Sequence, residues 1–358
     1  MRHSVETLAS EFDVTLVGPK GCGEFSPANV QTIECPPSPF SFLTTALLKG
    51  WQATRKTPFD IVFGGSGLVS PVTCLLAGRA KARSVALVHG LDLVVDNWIY
   101  QHLFVPFLRR HDRIIANSRN TRKIAIEKGC AATRVGIVNP GSTMPPESLL
   151  HQADSIRKEL GLADNKVVLS VGRMVRRKGL AEFLENAWPL IIEAQPNAIL
   201  LVVGDTPDDA LLQDERGAQR LMNAIDRCGE DTVRFLGAVD DDTLWNCYAA
   251  SDTLVFPLIR VKGDVEGFGM VAIEAAASGT PTVAFPVGGV VDAVSDGASG
   301  LLVPEGDYQA FAEAVLSICK GGPPSRSACR NYALEFSWDK HGQKLLSALG
   351  SGDSDVPQ

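Results

Sequence analysis

No two cysteines in this 358-residue chain stand at a CxxC spacing. The eight present, at positions 22, 35, 74, 130, 228, 247, 319 and 329, are scattered. That argues against a disulfide framework or zinc site and for reduced, cytosolic thiols. No apolar run approaches the ~20 residues of a membrane span, and the N-terminus lacks a signal-peptide pattern. No Gly-x-Gly-x-x-Gly follows any predicted strand, which weighs against a dehydrogenase, and no P-loop occurs. No His, Cys or carboxylate group has metal-ligand spacing, so no metal is expected. No RNA- or DNA-binding motif accompanies the basic residues, so nucleic acid is not an expected partner.

What is present is an ordinary soluble composition, 45% apolar and 21% charged, long enough for two domains with substantial cores. The net charge of −7 hides an asymmetry. Residues 1–150 carry 16 Lys and Arg against 11 Asp and Glu, and the remainder carries 18 against 30. A basic first half suits an anionic lipid surface or an anionic acceptor, and scattered surface charge is the alternative.

In the first half, strand patterns at Asp13–Val17, Ile61–Phe63, Val85–Val88, Arg113–Ala116 and Val135–Val138 alternate with helical patterns over Val5–Glu11, 40–54, 70–79, 99–110 and 119–128. Such alternation predicts a parallel sheet covered on both faces, with ligands beyond the carboxyl ends of the strands. His89 stands at such an end. It suits either a hydroxyl- or carbonyl-directed donor or a structural cap. Ser118, in the equivalent place after Ile114–Ala116, reads as the N-cap of the next helix. The apolar stretches Pro39–Trp51 and Leu103–Arg110, each with basic residues at hand, suit either a membrane surface or packing on their own sheet.

Residues 141–165 are polar and read as a linker, with a charged helix near Ser155–Leu160. Strands are then expected at Val167–Val171, Ile199–Val203, Val233–Leu236 and Thr253–Pro257, with helices over 180–194 and Asp242–Ala250. Arg173 and Lys178 follow the first of these strands, near glycines. A forked donor and a mobile point charge there suit a diphosphate, whereas Arg176 and Arg177 read as solvated. The segment Gly263–Pro286, GDVEGFGMVAIEAAASGTPTVAFP, is the most informative. Glu266 lies in a glycine-flanked loop, Met270–Ala277 is a nearly all-apolar helix, Gly279 ends it and Pro281 forbids its continuation. Glu274 is a carboxylate on a helix that should be buried, which is costly without a partner. Glycines and a free helix N-terminus favour an anionic, hydroxyl-rich ligand. The alternative is a glutamate reaching a cleft edge.

These residues resemble the group 1 family of retaining glycosyltransferases of the GT-B fold. The likeness rests on Glu266 and Glu274 in an E-x7-E pattern, Gly172-Arg173 with Lys178-Gly179, His89-Gly90, Arg234-Phe235-Leu236-Gly237, Val287-Gly288-Gly289 with Asp292-Ala293-Val294, Gly300-Leu301-Leu302-Val303, and Phe336-Ser337-Trp338. It covers essentially the whole chain, more strongly in the second half.

The resemblance implies two Rossmann-like α/β domains facing a cleft. Residues 1–145 would form an acceptor-side domain, 146–165 a linker and 166–335 a nucleotide-sugar-binding domain. Residues 336–350 would be a helix crossing back to the first domain, and 351–358 a disordered tail. Arg173 and Lys178 would hold the donor diphosphate, so that neither metal nor cofactor is needed. Glu266 would bind the transferred sugar near its reacting carbon, and Glu274 the ribose hydroxyls. Backbone amides of Gly267, Phe268, Gly269 and Met270 would touch sugar and phosphates. Gly237, in the Phe235–Val239 segment, would face the base. His89 would contact the sugar from the other domain and help position the acceptor. The implied activity is transfer of a hexose, with retention, from a nucleotide-diphosphate sugar to a glycan or lipid-linked acceptor of the cell surface. It would take place in the cytoplasm or on the cytoplasmic face of the membrane. A non-catalytic sugar-nucleotide-binding subunit and a nucleotide-sugar epimerase are the alternatives.

Two departures stand out. Asp292 replaces the family's usual glutamate. The family also begins with a strand and a glycine-rich loop, whereas Met1–Val5 already reads as the first helix. The first domain is therefore expected to lack its first strand, or the natural protein to begin a few tens of residues further upstream.

Overall fold

The computed structural model describes residues 2–205, 215–229 and 231–350. The chain divides into two compact units. One comprises Met1–Gly141 with Trp338–Gln358, the other Ser142–Ser337. The tail expected over 351–358 lies outside the described residues.

In the first unit, β1 (Thr15–Pro19) pairs in parallel with β2 (Gln31–Cys35), a strand the sequence pattern did not announce. A separate four-stranded parallel sheet runs in the order β3 (Ile61–Gly64), β4 (Arg83–Val88), β5 (Arg113–Ala116), β6 (Val135–Ile137). The helix Arg2–Glu11 joins the two. Its Leu8 packs against a cluster of Val85 and Leu87 from the larger sheet and Leu345 from the helix Trp338–Gly350, while Val5 and Ala9 pack with Val30 near the smaller. The C-terminal helix Trp338–Gly350 belongs to this unit. The His3 ring stacks on Trp338 at 4.1 Å. His341 Nδ1 donates to Asn139 O (2.8 Å), and its Nε2 shares a hydrogen bond with Ser4 Oγ (3.2 Å).

The second unit holds one continuous parallel sheet. Its order is β12 (Gly300–Leu302), β11 (Thr282–Ala284), β10 (Thr253–Phe256), β7 (Lys166–Val171), β8 (Ala198–Val203), β9 (Val233–Gly237). Strand β8, AILLVV, is buried at every position, as a strand covered by helices on both faces must be. Phe183, Trp188 and Ile191 seal one region of the core with Phe311, which sits edge-on to Phe285 at 4.9 Å. The helix expected over 180–194 is two helices, Leu180–Asn186 and Trp188–Ala194. Pro189 lacks an N–H and its ring crowds the carbonyl four residues back, so the helix breaks there.

The linker expected over 146–165 is a part of the second unit and carries the helices Glu147–His151 and Ala153–Glu159. Its polar composition hides Ile156 and Leu162, which are buried. Arg157 donates to Ala250 O (2.7 Å) and pairs with Asp252 (3.0 Å), and Arg234 donates to Leu160 O (2.8 Å). Those ties make the segment structural rather than connecting.

The sheet order places the site. From β7 the chain moves outward through β8 and β9, then returns to the other flank at β10 and leaves through β11 and β12. Strands β7 and β10 are neighbours whose onward connections run to opposite flanks of the sheet, which makes the space beyond their carboxyl ends the switch point.

Candidate functional site

The loops after β7 and β10 form the crevice and carry its charges. The first runs through Gly172 and Arg173 into the short turn Arg176–Lys178, which ends at Gly179 with φ 66°. A Cβ on Gly179 would stand 1.9 Å from Pro257 O, so only glycine lets the two loops meet. Ile259 N donates to Arg177 O at 3.0 Å across the same seam.

The second loop carries Asp264 and Glu266 to the helix Met270–Ala277, whose first-turn amides point back to the crevice. Gly269, at φ 104°, sets the helix start, a conformation that side-chain-bearing residues rarely adopt. Gly289 N donates to Glu266 O at 2.9 Å and fixes the backbone beneath the glutamate.

Four charged side chains interlock here. Lys178 Nζ donates to Glu266 Oε2 at 2.8 Å, and Arg177 Nε donates to the same oxygen at 3.4 Å. Arg177 also pairs with Asp264 Oδ2 at 3.1 Å. Lys178 lies over the Phe256 ring at 4.6 Å. Burial pushes the Glu266 carboxyl up, but Lys178 and Arg177 outweigh it and hold the group below its usual range. Burial pulls the Lys178 ammonium below its usual value, with Glu266 opposing. Arg173 is exposed and adds its positive charge beside Lys178.

Arg177 corrects the sequence reading. It is not solvated but 9% exposed, at the centre of this cluster. Its loop places it toward the interior, and no periodicity in a glycine-bounded turn reveals that direction. Arg176, by contrast, is exposed.

Glu274 is largely buried on the helix Met270–Ala277, and its Oε2 accepts a hydrogen bond from Tyr248 Oη at 2.8 Å. Burial holds its carboxyl above the usual range, although Tyr248 pulls the other way. Tyr248 itself is fully buried, and burial followed by the Glu274 charge drives its hydroxyl well up. Tyr248 is a site neighbour that pattern reading missed, because an amphipathic-helix tyrosine looks like core.

The remaining candidates divide by what they expose. Phe268 is buried, with its ring 5.7 Å from that of Phe336. Gly267 and Met270 line the same loop and helix start. Gly237, at the end of β9, receives Gly204 N on its carbonyl at 2.8 Å. His89, in the first unit, is exposed at the end of β4, its Nε2 3.0 Å from Gly65 O and its backbone N–H held by Asp92 Oδ1 at 2.9 Å. Ser118 is an N-cap, accepting from Thr121 N at 3.0 Å.

Among the described residues, no helix is long and apolar enough to cross a membrane. The helix Pro39–Lys56 leaves Phe40 81% exposed, and Trp98 near the second apolar stretch is 72% exposed.

Fold and charge together define a doubly wound α/β protein with a cluster of paired charges in the crevice at the switch point of its second unit. Residues 152–336 match the family model for "Glycosyl transferases group 1", and residues 2–142 that for "Glycosyltransferase Family 4". The chain belongs to the group 1 glycosyl transferases. It is 32% identical over 313 residues to a D-inositol 3-phosphate glycosyltransferase of Mycolicibacterium smegmatis, covering 86% of this chain and 65% of that one. It is 33% identical over 205 residues to a GDP-mannose-dependent monoacylated alpha-(1-6)-phosphatidylinositol monomannoside mannosyltransferase of Corynebacterium glutamicum, covering 54% and 50%. The matched region spans between about half and two-thirds of the length of most of these relatives. Among solved structures, Anabaena HepE in complex with UDP superposes with a TM-score of 0.78 at 22% identity over 98% of this chain and 95% of that one. Sucrose-phosphate synthase of Thermosynechococcus elongatus does so at 0.75 and 23% over 97% and 91%. The fold is GT-B, with two Rossmann-like domains.

Proposed function

We propose that this protein transfers a hexosyl group, with retention, from a nucleotide-diphosphate sugar to a hydroxyl of a glycan or lipid-linked acceptor in cell-surface polysaccharide or glycolipid biosynthesis. The carrying observation is the Lys178–Glu266 contact of 2.8 Å at the mouth of the switch-point crevice, beside the amides that open the helix Met270–Ala277. A cation, a carboxylate and free backbone donors stand where a diphosphate and its attached sugar would need them. The GDP-mannose named for the Corynebacterium relative and the UDP held by the structural neighbour support that ligand class.

In this reading Arg173 and Lys178 neutralise the diphosphate as negative charge builds on it, which makes a divalent cation unnecessary. Glu266 binds the sugar hydroxyls near the anomeric carbon. Glu274 takes the ribose hydroxyls, while Gly267, Phe268, Gly269 and Met270 offer backbone donors, and Gly237 borders the base. The acceptor oxygen bonds to the anomeric carbon as the bond to the diphosphate oxygen breaks, and the hydroxyl proton passes to that oxygen. His89 is assigned to the sugar and acceptor side. The protein works in the cytoplasm, with exposed Phe40 and Trp98 as contacts to the membrane face.

A thermal-shift panel of UDP- and GDP-hexoses identifies the donor, since a bound ligand raises the melting temperature by mass action. Transfer to inositol phosphate or to a lipid-linked glycan, followed by NMR of the new anomeric centre, tests acceptor and stereochemistry. Inverted product, or full dependence on a divalent ion after chelation, would sink the retaining, metal-independent part.

A further inference from the structure

Both cations of the charge cluster use one oxygen. Lys178 and Arg177 meet Glu266 Oε2 at 2.8 and 3.4 Å. They differ in how they are held. Lys178 has a flexible stem resting on Phe256 and stands beside Arg173, where a diphosphate would compete for it. Arg177 is pinned by Asp264 Oδ2 at 3.1 Å, and its carbonyl is tied to Ile259 N. Asp264 Oδ1 is buried and has no hydrogen-bond partner, so the hydrogen bonding of this carboxylate is directed to the guanidinium.

We propose that Arg177, anchored by Asp264, is a positioning residue that keeps Glu266 ionised and in place when a bound donor diphosphate draws Lys178 away. The inference rests on the donor-site reading above and adds a division of labour to it. In the ligand-free protein Glu266 is neutralised mainly by the nearer cation. A diphosphate brings about two negative charges and takes that cation for itself. A buried carboxylate left without any counterion would take up a proton or swing out. A guanidinium fixed at both ends prevents this, because Asp264 and the loop seam hold it away from the phosphates. The groups facing Glu266 are then Arg177 and Lys178 from the β7 loop, with Arg173 beside Lys178, and Asp264 on its own loop.

The test compares Arg177→Met, Arg177→Lys and Asp264→Asn with wild type. UDP and GDP binding is measured by calorimetry, and kcat, KM and the pH profile of kcat with the donor found above. Arg177→Met should bind nucleoside diphosphate within about twofold of wild type yet lose kcat by ~10–100-fold, the scale of a misplaced reacting group. Its acid limb should move to higher pH by about one unit, because Glu266 has lost a cation. Arg177→Lys should recover part of kcat, and Asp264→Asn should lose kcat in the same direction to a smaller extent. Circular dichroism checks folding, and Asp264→Asn, nearly isosteric, carries the test if Arg177→Met does not fold. Wild-type kcat with an unmoved acid limb overturns the inference alone. A loss of nucleoside diphosphate binding as large as that of Lys178→Ala also overturns it, by making Arg177 a phosphate ligand. If wild type binds no nucleoside diphosphate, the donor-site reading falls and takes this inference with it.

Discussion

The two units solve the same architectural problem with different completeness. In the second, six strands form one ladder and a single large core lies across both faces. In the first, β1–β2 and β3–β6 are separate sheets, and the apolar residues of β1 and β3, such as Leu16, Val17, Ile61 and Phe63, are only half buried. An edge strand exposes backbone groups and part of its side chains, whereas an interior strand is closed on every side. The charge cluster sits on the closed platform. A ligand site needs side chains locked by rigid supports, and β7 and β10, central in their sheet, supply that rigidity to the cluster.

Four experiments test this contrast, in order of falling effect. Glu266→Ala should remove transfer by at least ~10³-fold while circular dichroism still shows the native fold, with a lowered melting temperature because the buried Lys178 and Arg177 lose their shared partner. Retained activity would show that the rigid unit does not carry the chemistry through this residue. Phe311→Ala should cost about 3–5 kcal/mol, the usual penalty for emptying an aromatic core site, and Leu16→Ala on the open strand about 1–2 kcal/mol, because its side chain is already partly wet. Denaturant unfolding followed by domain-local hydrogen exchange measures both, and equal costs would erase the difference between the units.

Acidification should separate the units further. His111 and His341, both in the first unit, are buried, and that burial lowers their proton affinity below the ordinary value of 6.5. The unfolded chain binds those protons more readily, so the stability they carry is present above about pH 6.5 and is lost as the pH falls below it. His151, the histidine of the second unit, is exposed. Hydrogen exchange at about pH 7.5 and about pH 5.5 should show protection falling first in the first unit. Uniform loss would contradict the assignment.

Glu274 gives the smallest effect and the opposite sign. Its folded carboxyl lies above the ordinary value of 4.5, so the folded state favours the protonated form. Stability from this group is therefore largest at acid pH and is lost as the pH rises through the raised value. Glu274→Gln should accordingly raise the ligand-free melting temperature at neutral pH by a few degrees, roughly 1 kcal/mol, while weakening nucleoside-sugar binding. A lower melting temperature at neutral pH would show that Tyr248 and solvent already compensate the charge.

Much of the fold was legible because buried parallel strands are nearly pure apolar runs between glycines. Strand β5 and the helix Met270–Ala277 fall on the residues their patterns indicate. Strand β2, QTIEC, was not legible, since its two charged or amide side chains face water and its apolar run is short. The segment 146–165 misled through its polarity, because two buried apolar positions, Ile156 and Leu162, and the Arg157–Asp252 pair fasten it to the second unit.

By itself the sequence determined the parallel α/β class, the strand ends that carry Arg173, Lys178 and Glu266, and the presence of a carboxylate, Glu274, in a helix with no room for charge. Periodicity and composition are local properties, and these features depend on them alone. Tertiary structure decided which charges meet. Arg177 reads as one more solvated base until the β7 and β10 loops close over it, and Tyr248 reads as core until its hydroxyl reaches Glu274 at 2.8 Å. Residues 89 positions apart in the chain, Arg177 and Glu266, become partners through the crossover that makes β7 and β10 neighbours. No pattern along the chain encodes that distance, because sheet order arises from packing between elements rather than from the residues of any one of them.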